Sequence, residues 1–254
     1  MRLPSWRSIR MWQRNRDVFF RLWWSIAPGF MIEPIILLLA LGFGFGTFMG
    51  IVDGQDYIYF IVPGILASYI MTSATFECTY GTFFRMEYRR TYDSILATPL
   101  NMEDIVAGEI AWGATRSVIT STIILIVAYL FGLLPSPWVL LVPLVAVLEG
   151  LMFASIAMVF TSLAPSVYSF NYYFTLFIAP MTFFSGAFFP LTRFPEAIQW
   201  LGDIVPLTAP VDIIRGLVQG EFEASLLLSL GYMLVLTAVF FLLAMNTMRR
   251  RVIE

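Results

Sequence analysis

Long apolar runs separated by short polar joints dominate this chain, and their spacing predicts its architecture. Six runs reach the roughly 20 residues that a helix needs to cross a hydrocarbon layer about 30 Å thick. They lie near Leu22–Thr47, Tyr57–Tyr80, Ile110–Leu134, Trp138–Leu163, Phe170–Pro190 and Ala224–Thr247. The joints differ in kind. Phe48–Asp56 is short and acidic, Pro135–Ser136–Pro137 is a tight turn, and Ala164–Ser169 is short and uncharged. Residues 81–109 and 191–223 are long. The expected fold is all-α: a polytopic membrane protein with six transmembrane helices in a domain over 22–247, flanked by a segment over 1–21 and a basic tail over 248–254.

The polar parts carry their own periodicity. In the first segment, Arg7, Arg10, Arg14 and Arg21 share a helical face with Asp17, while Trp6, Ile9, Trp12, Phe19 and Phe20 cover much of the other. That is the pattern of an amphipathic helix lying in a membrane interface, aromatics down and guanidiniums toward anionic lipid. Within 81–109, Arg85–Ala97 reads as a short helix that Pro99 stops, because the residue before a proline is pushed out of helical geometry. Asn101 is a good N-cap, with Asp104 three residues on, so a new helix is expected to start there and lead into the third span. A solvated, positively charged loop would account for most of this stretch. Tyr92, Ile95 and Leu96 argue for more, since sizeable apolar residues ringed by charge mark a protein contact. The other long joint holds two amphipathic pieces too short to span, FPEAIQWLG and TAPVDIIRGLVQG, with Thr208 as expected cap and Gly220 as stop.

Composition narrows the function. Hydrophobic residues make up 59% of the 254 and charged residues 13%, with a mean hydropathy of +0.81. All 15 basic residues are Arg. Without Lys there is no P-loop, whose Lys reaches the β/γ-phosphates. Without His the usual general base and commonest metal ligand are missing, and the single Cys78 sits in an apolar run. No catalytic residue, metal site, resident cofactor or nucleic-acid interface is expected. The first 21 residues lack a small-residue cleavage site, so the first span is expected to remain as an anchor. Arg placement predicts orientation, because short cytoplasmic loops collect positive charge. With the N-terminus inside, Arg2, Arg7, Arg10, Arg14, Arg16, Arg21, Arg85, Arg89, Arg90, Arg249, Arg250 and Arg251 are all cytoplasmic. Only Arg193 and Arg215 lie outside. Both termini and residues 81–109 are thus expected in the cytoplasm.

Four charges fall within expected spans: Glu33, Glu77, Arg116 and Glu149. Each should face protein or water, since insertion costs about 2.5–3.5 kcal/mol for such a group. Glu33, Glu77 and Arg116 lie at similar depth and could form an ion pair that serves structure alone. Glu149 has no basic residue to match it. The fifth run is crowded with aromatics, including Tyr172, Tyr173, Phe177 and Phe184. Each suits a bilayer belt, and together they suit a path for an amphipathic, lipid-bearing cargo.

Three stretches resemble a known family: YGTFFRMEYRRTYDSILATPLNMEDIVAGEIAWGATRS (Tyr80–Ser117), FNYYFTLFIAPMTFFSGAFFPL (Phe170–Leu191) and VPLTAPVDIIRGLV (Val205–Val218). In order and spacing they resemble type-2 ABC-transporter permeases, most nearly those that export nodulation lipo-oligosaccharides. The resemblance implies a permease subunit working as two copies with two ATPase subunits, which bind the ATP and Mg, in a bacterial inner membrane. It implies that residues 81–109 carry a coupling helix docking on the ATPase through Arg89, Arg90, Tyr92, Asp93, Ile95 and Leu96, with Thr98 and Pro99 as the joint. It implies a re-entrant outer segment over 191–223, and a lipid-linked saccharide or lipo-oligosaccharide as cargo. A hydrophobic drug is the alternative cargo. A proton-coupled secondary transporter using Glu149 would show an inverted repeat, and an intramembrane enzyme would place His or paired acids near one face; the sequence offers neither.

Overall fold

The computed structural model describes residues 4–52 and 54–253; Arg2 and Glu254, counted above with the two ends, lie outside them. The first element, α1 (Ser8–Arg21), is followed by α2 (Trp23–Leu37), which runs through a π-helical stretch into α3 (Gly46–Met49). A tight antiparallel hairpin, β1 (Ile51–Val52) with β2 (Gln55–Asp56), makes the acidic joint and is the one departure from the expected all-α fold among the described residues. Then come α4 (Tyr57–Phe76), extended by π turns to Tyr88, the short α5 (Thr91–Leu96), and the long α6 (Met102–Leu130). After these follow α7 (Val142–Leu163), α8 (Ser169–Tyr173), α9 (Ala179–Phe184), α10 (Glu196–Ile204), α11 (Thr208–Gln219) and α12 (Ser225–Ile253).

Among the described residues, five stretches are helical, long and apolar enough to cross a membrane: Ile32–Met49, Tyr57–Tyr88, Met102–Leu130, Pro137–Leu163 and Ser225–Val252. The expected fifth span is different. It is helical only from Ser169 to Phe184, in α8, a π turn and α9. That is about 24 Å of helix, short of the roughly 30 Å of hydrocarbon. Gly186, with φ +76, turns the chain where Phe170–Pro190 was expected to continue.

Three further boundaries are set by the structure. The helix expected to start after Asn101 and lead into the third span is one continuous element from Met102, so Ile110 marks no boundary; Asn101 and Asp104 form the capping box and nothing after them breaks the helix. The expected helix Arg85–Ala97 does not form as one piece. Residues to Tyr88 belong to the second span, Arg90 takes a left-handed conformation with φ +44, and α5 begins only at Thr91. The sharp reversal that a single left-handed residue provides turns α5 away from α4. At the far end, α12 continues through Thr247, so the expected tail over 248–254 is helical up to Ile253.

The core is built from α4, α6, α7 and α12. Helices in a bilayer gain no hydrophobic drive from touching one another, so small residues and cross-helix hydrogen bonds hold them. Ser117 Oγ donates to the Ile70 carbonyl at 2.9 Å, Thr120 to Ser73 at 3.0 Å, and Thr161 to the Cys78 carbonyl at 2.8 Å. Across the α1–α6 contact, Gly108 allows the closest approach: a Cβ there would run into Met11 and the Ser8 carbonyl. α1 is accordingly more than a surface float. Met11, Asn15 and Phe19 form a buried seam against α6, while Trp6, Ile9 and Phe20 stay exposed. The expected apolar face is thus divided, and Phe19 belongs to the packed side.

Candidate coupling site

A buried ion cluster forms where α4, α5, α6 and α1 converge at the Arg-rich end. Arg85, on the π-helical extension of α4, is its centre. It reaches back to Glu77 at 2.8 Å and forks onto Glu109 of α6 through Nε and Nη2, at 2.8 and 2.5 Å. Glu77 and Arg85 are eight residues apart, about 12 Å along an α-helix, so the guanidinium folds back along its own helix to make the first contact. Arg116 adds a second cation 3.8 Å from Glu77 and lies over the Phe19 ring at 4.7 Å. Two carboxylates thus face two guanidiniums. Such balance matters because a buried charge left unpaired is far more costly than a missing pair.

The cluster reaches beyond the spans. Tyr92 Oη donates to Glu109 at 3.1 Å, and Asn15 Nδ2 donates to the other Glu109 oxygen at 3.1 Å. Burial, and then the Glu109 carboxylate, push the Tyr92 phenol well above its ordinary pKa, so it stays a hydrogen-bond donor. Two further contacts bind α1 to the joint between α5 and α6. Arg7 Nη1 donates to the Pro99 carbonyl at 2.6 Å, and the Ser5 amide donates to Asp104 at 2.6 Å. From the other end of the chain, Arg251 donates to the Thr161 and Ala164 carbonyls at 2.7 and 2.6 Å and pairs with Glu87 at 2.8 Å. Arg249 pairs with Glu103 at 3.3 Å.

Of the expected docking residues, Arg89, Arg90, Asp93, Thr98 and Pro99 are exposed, and Ile95 and Leu96 are half-buried. Tyr92 is not on that surface. Its ring is 1% exposed, held inward by Glu109, which corrects the expectation of an apolar residue surrounded by water. The anticipated pairing of Glu77 with Arg116 is present, but Glu33 takes no part in it and stands beside Tyr69 instead. Glu109 was missed because it fell in the polar joint. The capping box was the available signal: a helix counted from Asn101 puts Glu109 and Arg116 seven residues apart, on one face.

Glu149 is fully buried on α7, with neither carboxyl oxygen hydrogen-bonded among the described residues. Glu149→Met keeps the shape and removes this unsatisfied group, and is expected to stabilise the protein by about 1–3 kcal/mol. Thermal unfolding in lipid nanodiscs measures it, and a lowered melting temperature would show that Glu149 has a partner in the working assembly. Along the expected fifth span, Tyr172, Phe177 and Phe184 are exposed, whereas Tyr173 is buried and stacked on Phe160 at 4.3 Å. Tyr173 is thus part of the packing rather than of an open path.

The family model for ABC-2 type transporters matches residues 8–218, which takes in α1, the ion cluster, α5 and the outer helices. Similar proteins include Nodulation protein J of Rhizobium meliloti (strain 1021), 40% identical with 98% of this chain and 96% of the relative covered. Nodulation protein J of Sinorhizobium fredii (strain NBRC 101917 / NGR234) is 36% identical, with 99% and 97% covered. The inner membrane transport permease YadH of Escherichia coli (strain K12) is 23% identical, with 96% of each covered. With the apolar helices described above, these matches identify a membrane transport subunit, and the chain belongs to the ABC-2 type transporter family.

Proposed function

We propose that this chain is the membrane permease of an ATP-driven exporter whose ATP and Mg are bound by a separate ATPase subunit, and that two copies assemble with two such subunits. The Arg-rich end faces the cytoplasm and both termini lie there. One observation carries the reading: α5, exposed on one side, is wired on the other through Tyr92, Glu109, Arg85 and Glu77 to the second and third spans. A push on α5 is therefore delivered to two membrane helices at once, without a flexible joint between. The docking surface is Arg89, Arg90, Asp93, Ile95 and Leu96, with Tyr92 as the inward tooth and Thr98–Pro99 as the joint to α6. Exposed apolar residues of α12, such as Leu227, Leu228 and Val235, face lipid.

The cargo proposed is a lipid-linked saccharide or lipo-oligosaccharide. The similarity to the Nodulation protein J sequences over almost the whole chain supports that class over a hydrophobic drug. Leu96→Arg tests the docking assignment. It changes a half-buried surface position, so the variant is expected to insert normally and to retain about tenfold less ATPase subunit on co-purification. Unchanged retention would remove α5 from the interface.

A further inference from the structure

A laterally open crevice runs between α2, α4 and α6, away from the ion cluster and from the aromatic fifth segment. It has two contiguous parts that share Gly29, Glu33 and Tyr69. One is an apolar arm of about 540 Å³ along α2, lined by residues such as Ile32, Ile36 and Ala40. The other, about 380 Å³, is mixed: Phe76 and Gly29 give it an apolar wall, and Thr72, Ser73, Thr120 and Arg116 add polar groups. Glu33 stands at the junction, roughly 15 Å along the helix from Trp23, at the start of the apolar stretch Ile32–Met49. Glu33 is exposed, shares the crevice lining with Tyr69, and makes no ion pair among the described residues.

An acid beside an apolar span needs hydrogen-bond donors or water. Arg116 is already engaged with Glu77 and cannot serve as a free counter-charge. The crevice thus offers an uncompensated carboxylate beside hydroxyls. Ser73 accepts from Thr120 and keeps its own proton to donate. An anionic headgroup would meet repulsion from Glu33, whereas a neutral, hydroxyl-rich headgroup would satisfy both carboxylate and hydroxyls. The apolar arm beside it matches an acyl chain in shape and chemistry.

We propose that this crevice is a binding site for an acylated, uncharged saccharide, with the sugar against Glu33, Tyr69 and Ser73 and the chain along Ile32 and Ile36. The assignment rests on the reading of the protein as an exporter of lipid-linked saccharides. It places cargo recognition on the first three spans, beside the helix pair that the ion cluster moves.

The test is photo-crosslinking of the full chain in phosphatidylcholine nanodiscs with a diazirine-bearing N-palmitoyl chitotetraose. Label is expected on the α2 peptide containing Glu33 and the α4 peptide containing Tyr69. Excess unlabelled N-palmitoyl chitotetraose should compete it away, while palmitate and phosphatidylglycerol should not. Combining Glu33→Gln with Tyr69→Phe is expected to cut labelling about tenfold. Ile36→Trp, at an exposed position, should fill the apolar arm and do the same with the polar end intact and the melting temperature held. Equal labelling by a diazirine phosphatidylcholine, without competition by the sugar probe, would overturn the proposal in favour of bilayer lipid. Crosslinks from Glu33 to a second copy would overturn it in favour of a subunit interface. Because this experiment omits the ATPase subunit, a negative outcome for Leu96→Arg would challenge the coupling reading and leave the crevice standing, and the reverse also holds.

Discussion

Arg85→Met is expected to destabilise the protein by about 3–5 kcal/mol, the cost of leaving a buried charge without its partner. Arg85 alone touches both Glu77 and Glu109, and its side chain is 14% exposed, so solvent does little to screen the loss. The Glu109 carboxylate, wholly buried, would keep only the Tyr92 and Asn15 hydrogen bonds. Thermal unfolding in nanodiscs reads the stability, and ATP-driven cargo release from inverted vesicles reads the coupling. Adding Glu109→Gln to Arg85→Met removes one negative charge and leaves Glu77 facing Arg116. The double variant is therefore expected to regain part of the lost stability, a coupling that distinguishes ion pairing from lost packing. It is not expected to regain transport, since the link from α5 to α4 runs through the Arg85 guanidinium. A single variant as stable as the parent would remove the cluster from any structural role.

Gly64→Val is the second large effect. Gly64 lies in α4 against the bend that follows α9, and a Cβ at position 64 would overlap the Ala187 carbonyl group. The bend cannot yield freely. Tyr57 Oη donates to the Phe188 carbonyl at 3.2 Å, and Arg215 Nη2 donates to the Gly186 carbonyl at 2.8 Å. Arg215 also lies over the Phe60 ring at 4.6 Å. Substitution should push the bend off the second span and cost about 3 kcal/mol, the upper end for overpacking, because backbone rather than side chain must move. Hydrogen exchange should rise selectively over residues 185–190 and in α11. Gly44→Ala is the control: a Cβ there meets nothing within 4 Å, so stability should hold. Unchanged exchange over the bend in Gly64→Val would show that α4 does not set its position.

These two positions differ in how visible they were beforehand. Arg85 was counted as one positive charge among many and given no partner. Its partners lie eight and 24 residues away in sequence, and only the continuation of α4 past Glu77 brings all three together. Gly64 sits in an apolar run where any small residue would have fitted the pattern. Its necessity comes from a segment more than 100 residues later folding back onto it. Tyr92 illustrates the reverse error. Its neighbours in the chain are polar, which suggested exposure, yet a single buried acceptor on another helix turned the ring inward.

The sequence by itself determined the membrane-spanning class, the positions of the long helices, the capping box at Asn101, the glycine stop at Gly220 and the absence of Lys and His. All of these are local or compositional: hydropathy over about 20 residues, a side chain capping its own helix, a backbone angle only glycine adopts freely. Tertiary structure alone decided where the charges go. A helix of the first segment, a short helix between two spans and a carboxylate at Glu109 meet because helices packed side by side bring distant residues within hydrogen-bond range, and a low-dielectric interior makes a buried charge costly unless it is paired. The short, broken fifth segment belongs with these, since the bend at Gly186 is held in place by Gly64, Tyr57 and Arg215, residues far from it in the chain.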